Sequence, residues 1–304
     1  MQKASKIWMN GRFIDWDDAK VHVLSHSLHY GSGIFEGLRC YETPKGPAIF
    51  RLDAHMRRLF ESAHIYMIDM PYSRQKLSDV CVQLVKLNRL RECYIRPIVF
   101  YGYGDLRLNP KRNPLEIAIA AYPFVYFSKN LQRMGVRCKI SSWCRITSIV
   151  LPPQAKSCGN YVNSILANLE AKAAGYDEAI LENVNGYVAE GPGENVFIVK
   201  DGTLITPSPD AGILKGVTRD TVIHLARDMG IPFKERDIAR EELYTADEVF
   251  LTGTAAEITP VREVDNRPIG EGKPGPVTLK LQKKYWEVTR GKDRSYYRWL
   301  TFVK

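Results

Sequence analysis

Apolar residues in this 304-residue chain recur at two periods that alternate along its length, and this alternation most constrains the fold. Runs such as 93–101 and 115–121 are strand-like, with apolar residues close together or at every second position. Between such runs, stretches such as 56–67 repeat apolar residues every three or four positions, which predicts amphipathic helices. The chain is therefore predicted to be a mixed α/β protein.

Local turn and cap signals give the predicted elements their limits. Tight hairpin turns are predicted at Asn10-Gly11, Asn185-Gly186 and Asp201-Gly202. Helices are predicted to begin at or near Asp53, Ser73, Asn160 and Thr218, each of which precedes a helical apolar repeat. Further strands are predicted at 38–41, 48–51, 136–141 and 248–251.

The regular pattern breaks up between residues 122 and 135, which indicates a connection between two domains. We therefore predict a small α/β domain over 1–122, an interdomain loop over 123–135 and a larger domain over 136–304.

Composition excludes several classes of protein. The chain has 43 Lys and Arg against 34 Asp and Glu, a net charge of +9, and 45% of its residues are apolar. These values exclude a disordered chain, a collagen-like repeat and a disulfide-dense scaffold. The basic residues are spread along the chain, so nucleic-acid binding is a weak alternative. The longest uncharged stretch, 21–35, is too short and too polar to span a membrane, and no apolar leader is evident, so we expect a cytoplasmic protein.

Metal and nucleotide motifs are not complete in this sequence. Six cysteines contain no C-x-x-C pair, which favours reduced thiols over a metal site or a disulfide framework. His22, His26 and His29 are spaced for one helical face, but alternation around Val21 favours a strand and no Cys or carboxylate completes a metal site. Gly31-Ser32-Gly33 is not spaced as a dinucleotide-binding loop, and neither a phosphate-binding P-loop nor a serine-nucleophile signature occurs.

A lysine, a phenol and an acid in the second half suit a phosphorylated aldehyde cofactor. Lys156 follows two prolines and precedes a helix, where partial desolvation would favour the amine that forms a Schiff base. Tyr161 follows in the first turn of that helix. Glu190 ends a predicted strand, and its carboxylate could keep a pyridine nitrogen protonated.

Two short segments could hold anions. Gly216-Val217-Thr218 offers backbone N–H groups and a hydroxyl at a helix N-terminus, and residues 252–256 are small enough for backbone donors to approach a second anion. Each signal also has an ordinary interpretation: a solvated lysine, a surface carboxylate, a helix cap and a tight turn. From the residues alone, the chain is an anion-binding α/β enzyme.

Several ordered motifs extend this interpretation over nearly the whole chain. They are His29-Tyr30-Gly31, Phe35-Glu36-Gly37-Leu38-Arg39, His55-Met56-Arg57-Arg58-Leu59, Tyr94-Ile95-Arg96-Pro97, Lys156-Ser157-Cys158-Gly159-Asn160-Tyr161, Glu190-Gly191-Pro192-Gly193-Glu194-Asn195, Gly216-Val217-Thr218-Arg219 and Gly253-Thr254-Ala255-Ala256-Glu257. With these motifs the sequence resembles the class IV, or fold-type IV, pyridoxal-phosphate aminotransferases, and among them the branched-chain amino-acid aminotransferases. The resemblance implies a small N-terminal α/β domain and a larger domain with a barrel-like β-core, with the cofactor between them.

The resemblance also implies how pyridoxal 5′-phosphate would be held. Lys156 would bind the cofactor covalently and then move the proton of the substrate. Glu190 would pair with the pyridinium nitrogen and Tyr161 would donate to the phenolic oxygen. The residues implied for the phosphate are Arg58, Val217, Thr218 and Thr254.

Substrate contacts follow from the same resemblance. Tyr94 and Arg96 would hold a substrate carboxylate together with the Thr254-Ala255 turn. Tyr30, Phe35 and Phe124 would line the side-chain pocket, although the ordinary interpretation of such aromatics is core packing. The hydroxyl of Tyr30 and the guanidinium of Arg39 would serve the second carboxylate of glutamate. Arg107 lies in a loop that departs from the family pattern, where it would either alter specificity or be a solvated arginine.

The implied activity is transfer of the amino group of Leu, Ile or Val to 2-oxoglutarate. A homodimer or a multiple of dimers is implied, with amino acids and 2-oxo acids as its small-molecule partners. Alternatives within the fold are a D-amino-acid aminotransferase, an (R)-amine transaminase and aminodeoxychorismate lyase, and the Tyr94–Pro97 segment favours the branched-chain interpretation.

Overall fold

The structure is a computed structural model that describes residues 3–304, and the chain divides into two compact units. The first unit contains the chain as far as Phe124, together with 155–159 and 288–304; the second contains 125–154 and 160–287. The first part of the chain forms β1 Lys6–Met9, β2 Arg12–Asp15, α1 His26–Tyr30, β3 Gly33–Phe35, β4 Leu38–Tyr41, β5 Ala48–Phe50, α2 Leu52–Ile65, α3 Arg74–Leu87, β6 Cys93–Tyr101 and β7 Leu115–Tyr122.

The next part forms α4 Lys129–Met134, β8 Val136–Ile140, α5 Tyr161–Ala173, β9 Glu178–Glu182, β10 Val188–Glu190, β11 Asn195–Lys200, β12 Thr203–Thr206, α6 Val217–Asp228, β13 Phe233–Glu235, α7 Arg240–Thr245, β14 Glu248–Gly253, β15 Glu257–Val264, β16 Arg267–Pro268 and α8 Pro276–Thr289. A last strand, β17 Leu300–Phe302, returns to the first unit. Short 3₁₀ turns occur at Trp16–Asp18, Pro110–Arg112, Pro209–Ala211 and Arg294–Trp299. The predicted mixed α/β class is confirmed.

The first unit is built on one sheet. Its strands lie in the order β17-β5-β4-β6-β7-β1-β2, with β3 added beside β6. The β1–β2 hairpin turns at Asn10 and Gly11, both at positive φ (48° and 93°), and this turn sets the pairing of Met9 with Arg12. Apolar residues of α2 and α3, including Met56 and Leu84, are fully buried in one cluster with those of the sheet.

The second unit contains a closed barrel. Strands β10, β9, β8, β15, β14 and β11 pair in that order, and β10 also pairs with β11, so the six strands form a ring. Closure removes free strand edges, which otherwise invite unwanted pairing. The barrel-like β-core predicted for the larger domain is thereby confirmed.

Both faces of the barrel strands are buried. Val196 and Ile198 on β11 join the core cluster of this unit with Val249 on β14. On the opposite face, Phe197 and Phe250 are cross-strand partners whose rings stack at 5.0 Å with an interplanar angle of 4°. Continuous apolar runs are typical of strands that are covered on both sides.

Two local predictions are wrong. Asp53 does not cap α2: Arg51, at φ 53°, precedes the helix, and Asp53 lies inside its first turn. The segment that includes Val21 is not a strand: Val21 and Val23 are both exposed, and α1 begins at His26, whose buried ring is hydrogen-bonded to Ser32 Oγ at 2.7 Å. Residues 155–159 and 288–304 group with the first unit, since Ser157 pairs with Ile34 and β17 pairs with β5. Within residues 3–304, no helix is both long and apolar enough to cross a membrane.

Removing the Phe250 ring tests the barrel packing. Phe250→Ala leaves a cavity beside Phe197, so the free energy of unfolding should fall by about 3–5 kcal/mol in a urea titration. The control is Phe13→Ala, which removes the same group from a side chain that is 37% exposed and should cost much less. Equal losses in the two variants would contradict the stacked, buried arrangement.

Candidate active site

Main-chain pairing places Lys156 in the first unit. The segment 155–159 lies antiparallel to β3: Phe35 N donates to Lys156 O at 3.0 Å and Cys158 N donates to Gly33 O at 2.8 Å. Lys156 N in turn donates to Ser62 Oγ of α2 at 3.0 Å. Hydrogen bonds on both sides therefore fix the backbone from which the lysine side chain extends.

The Lys156 amine lies in an environment that disfavours its charge. The side chain is half-buried, and Nζ lies 4.9 Å from the centroid of the Phe35 ring. Burial and the Arg58 guanidinium lower the pKa of Lys156 to about 8, against an opposing effect of Glu36. A lysine with such a pKa presents an appreciable fraction of free amine near neutral pH, as a nucleophile or a proton carrier requires.

A buried carboxylate orients Arg58. Glu36 is fully buried and accepts from Arg58 Nε at 2.6 Å, from Arg58 Nη2 at 2.9 Å and from His55 Nδ1 at 2.8 Å. Burial alone would raise the pKa of Glu36, but Arg58 and His55 outweigh it and hold that pKa well below its usual range. Burial lowers the pKa of His55 despite the nearby carboxylate. The two-point contact fixes the plane of the guanidinium.

An aromatic and cationic wall extends from Phe35. Tyr94 and Arg96 lie on one face of β6, with Arg96 Nη2 3.3 Å from the Tyr94 hydroxyl. The Arg96 guanidinium carbon lies 4.8 Å from the centroid of the Phe35 ring, and the Phe124 ring lies 5.3 Å from that of Tyr94. Arg39 pairs with Tyr94 across β4 and β6. Such a wall can bind both an apolar chain and a carboxylate.

Tyr30 and Arg107 belong to a different group of contacts, formed by α1 and the loop that follows β6. The Tyr30 hydroxyl donates to Leu106 O at 3.1 Å, and His26 Nε2 lies 3.0 Å from Arg107 O. The Arg107 side chain is 79% exposed and lies 3.2 Å from Asp105. The structure therefore places these two residues on the surface of the first unit.

In the second unit, Glu190 is the centre of a hydrogen-bond network. It is 4% exposed and accepts from Arg145 Nε at 2.7 Å, from Asn195 Nδ2 at 3.0 Å and from Leu214 N at 3.1 Å. A cation and two neutral donors thus hold a buried carboxylate in one orientation. Arg145 also lies 3.4 Å from Asn163 in the first turn of α5, the turn in which Tyr161 lies.

The N-terminus of α6 adjoins this network. A Cβ on Gly216 would lie 2.0 Å from Asn195 Oδ1, so a larger residue at the start of α6 would displace the side-chain amide that donates to Glu190. Val217 and Thr218 form the first turn and are buried. Their backbone N–H groups and the helix dipole suit an anion.

The turn 253–256 between β14 and β15 packs against the segment that follows Glu190. A Cβ on Gly253 would lie 3.1 Å from Gly193 O. Thr254 and Ala255 lie in this turn. Glu190, the start of α6 and this turn are therefore neighbours within the second unit.

Sequence motifs indicated some supporting residues but not others. Glu36 and Asn195 lie within the family motifs quoted above, but the sequence assigned neither residue a function in the site. Arg145 lies in a loop without any motif, so only the folded structure reveals its contact with Glu190. Among residues 3–304, no group of three or more His, Cys, Asp or Glu side chains is placed to hold a metal ion.

The reactivity of Lys156 should follow its pKa. In the cofactor-free protein, labelling by an amine-directed reagent, read by mass spectrometry of the Lys156 peptide, should reach half its maximal rate near pH 8. In Arg58→Gln a cation that lowers the pKa is lost, so the midpoint should move to higher pH. Arg57→Gln, on the exposed side of the same helix, is the matched control and should leave the midpoint in place. A midpoint common to all three proteins would contradict the role of Arg58.

Comparisons with known proteins identify the family. The sequence model of the amino-transferase class IV family matches residues 33–264. The chain is 45% identical over 304 residues to the branched-chain-amino-acid aminotransferase of Escherichia coli K12, covering 99% of this chain and 98% of the relative. It is 47% identical over 299 residues to that of Pseudomonas aeruginosa, covering 98% and 97%.

Solved structures agree with these relatives. The crystal structure of the Escherichia coli branched-chain amino acid aminotransferase matches with a TM-score of 0.97 and 45% identity, over 99% of this chain and 100% of that one. The branched-chain amino acid aminotransferase of Thermoproteus uzoniensis with norvaline matches with a TM-score of 0.94 and 46% identity, over 99% of this chain and 100% of that one. These matches confirm the resemblance predicted from the motifs: the chain belongs to the class IV aminotransferases.

Proposed function

We propose that this chain is a pyridoxal-phosphate aminotransferase that moves the amino group of Leu, Ile or Val to 2-oxoglutarate. The observation that carries the proposal is the environment of the Lys156 amine. It lies beside the Phe35 ring, and its pKa is lowered to about 8. Relatives named as branched-chain-amino-acid aminotransferases, which match over nearly their full length, support the choice of substrates.

The residues present fit pyridoxal phosphate. The cofactor needs a reactive lysine for its aldehyde, an acid for its ring nitrogen and an anion seat for its phosphate. Lys156, Glu190 and the glycine-dependent start of α6 supply these three functions. We assign the phenolic oxygen to Tyr161 and the phosphate to Arg58, Val217, Thr218 and Thr254. Pyridoxal phosphate supplies the electron sink and stores the amino group between the two half-reactions.

Protein groups perform the binding and the proton transfer. Lys156 Nζ takes the proton from the substrate Cα and returns it later in the reaction, which its lowered pKa favours. Glu190, held by Arg145, keeps its carboxylate in place for the ring nitrogen. Glu36 accepts two hydrogen bonds from the Arg58 guanidinium and so keeps it in place for the phosphate.

We assign the substrate to the wall around Phe35. Tyr94 and Arg96 bind a carboxylate with the Ala255 turn, while Phe35 and Phe124 contact the aliphatic chain. Arg39 and Tyr30 serve the second carboxylate of glutamate, and Arg107 modulates which substrates enter. Two features support a pocket that accepts both an aliphatic side chain and the carboxylate of glutamate. They are the charge of Arg96 and the apolar faces of the neighbouring rings.

Other class IV activities are not favoured. A D-amino-acid aminotransferase, an (R)-amine transaminase and aminodeoxychorismate lyase would share Lys156 and Glu190. The relatives that match this chain at 45–47% identity over their whole length carry the branched-chain name instead.

We propose further that the enzyme is a homodimer or a multiple of dimers and acts in the cytoplasm. One face of α5 exposes Val162, Ile165 and Leu169 by 54–59%, and apolar residues spaced in this way are typical of a face that packs against protein. All six cysteines are free thiols, which fits a reducing compartment.

Borohydride reduction tests the cofactor and the lysine together. Reduction should attach a stable pyridoxyl group to the peptide that contains Lys156. In Lys156→Ala this adduct should be absent, and the rate of leucine transamination should fall by at least about 10³-fold. Lys200→Ala, at a surface lysine, is the control and should retain both. Initial rates with leucine and 2-oxoglutarate should show ping-pong kinetics. A Lys156→Ala protein with native activity would refute the assignment.

Charge on α5 tests the dimer. Ile165→Lys with Leu169→Lys places two cations on the apolar face, so the sedimenting species should fall toward a single chain of 34.6 kDa. Ala174→Lys adds a cation at the C-cap of the same helix, away from the face of Ile165 and Leu169, and should leave the mass unchanged. An unchanged mass in the double variant would remove this face from the interface.

A further inference from the structure

Two buried carboxyl groups lie near one phenol inside the second unit. Glu178 and Glu194 are 1% and 4% exposed. The Tyr126 hydroxyl donates to Glu178 Oε2 at 2.7 Å, and the Glu194 carboxyl group is an electrostatic neighbour of both residues. None of these three residues has a role in the proposed reaction so far.

Hydrogen-bond donors are divided unequally between the two acids. Glu178 accepts from the Tyr126 hydroxyl, from Asn168 Nδ2 at 2.7 Å and from Ala179 N at 3.0 Å. Glu194 accepts from a backbone donor, Gly193 N at 3.1 Å. Donated hydrogen bonds stabilise the ionised form of a carboxyl group, so of the two acids Glu194 is the one that keeps its hydrogen.

Electrostatics point the same way. Glu194 faces the carboxyl groups of Glu178 on β9 and Glu190 on β10, the Tyr126 phenol and the Cys138 thiol on β8. Burial and the Glu178 carboxylate raise the pKa of Glu194 well above its usual range. Burial and the two neighbouring acids also raise the pKa of Tyr126, so the phenol keeps its hydrogen.

The protonated acid supports the turn assigned to the substrate carboxylate. Besides its contact with Gly193, a Cβ on Gly253 would lie 3.5 Å from Glu194 Cγ, so the turn 253–256 packs on the Glu194 side chain. Gly193 N donates to Glu194 Oε2 at 3.1 Å, which ties the carboxyl group to the same loop. Beyond the turn, the Glu257 carboxyl group accepts from the Trp286 indole N–H at 3.1 Å.

We propose that Glu194 is a positioning residue that stays protonated beside Glu178 and Tyr126, and so keeps the 253–256 turn receptive to a carboxylate substrate. Its link to the substrate rests on the proposed function, whereas the protonation of Glu194 does not. When Glu194 loses its hydrogen at alkaline pH, a like charge appears beside the turn and weakens carboxylate binding.

Infrared difference spectra test the protonation without any catalysis. At neutral pH, Glu194→Gln should remove a carboxylic-acid C=O band and leave the carboxylate bands, while Glu241→Gln, at an exposed residue, should remove a carboxylate band. Loss of a carboxylate band in Glu194→Gln would overturn the proposal.

Steady-state kinetics test the consequence for the substrate. In the wild-type holoenzyme, KM for 2-oxoglutarate should rise by about tenfold as Glu194 ionises at alkaline pH, an effect of the size expected for one added like charge. Glu194→Gln should lack this rise, with a smaller change in kcat. The same rise in Glu194→Gln would overturn the link to the turn. An inactive wild-type protein would refute the proposed function, and the infrared result would still decide the protonation.

Discussion

Main-chain hydrogen bonds between the segment 155–159 and β3 are the constraint on which the reactive centre of the first unit depends. They determine where the Lys156 side chain begins, and Ser62 of α2 holds the same residue from its other side. The amine then lies beside Phe35, within the field of Arg58, and its pKa falls to about 8. A reactive lysine therefore follows from ordinary strand pairing combined with partial desolvation.

Both units use the same means of holding a buried charge. In the first unit Glu36 accepts from Arg58 and His55, and in the second Glu190 accepts from Arg145 and neutral N–H donors. An isolated buried carboxylate would be costly, and an arginine partner with additional donors offsets that cost. Another buried acid, Glu194, is accommodated in a different way, by keeping its hydrogen. One unit thus contains two buried carboxyl groups, four residues apart in the sequence, that are stabilised by different means.

Much of the fold could be predicted from the sequence because its signals are local. The Asn10-Gly11 turn adopts the positive φ angles that the dipeptide favours, and Ser73 Oγ caps α3 as its position suggests. Asp53 is not the helix cap, because α2 begins directly after Arg51, whose backbone is in the left-handed region. An arginine in the sequence does not indicate that conformation. The strand expected around Val21 does not form: Val21 and Val23 are 52% and 67% exposed, so the alternating residues have no sheet to pack against.

By itself, the sequence determined the class of the fold, the family and the residue types of the site, because periodicity, turns and ordered motifs are written in consecutive residues. The tertiary structure alone decided the partners of those residues. Arg145 meets Glu190 across 45 positions and Tyr126 meets Glu178 across 52, and nothing in the intervening chain encodes either contact. Burial and charge neighbours, which set pKa values and proton positions, exist only once such distant segments have packed together.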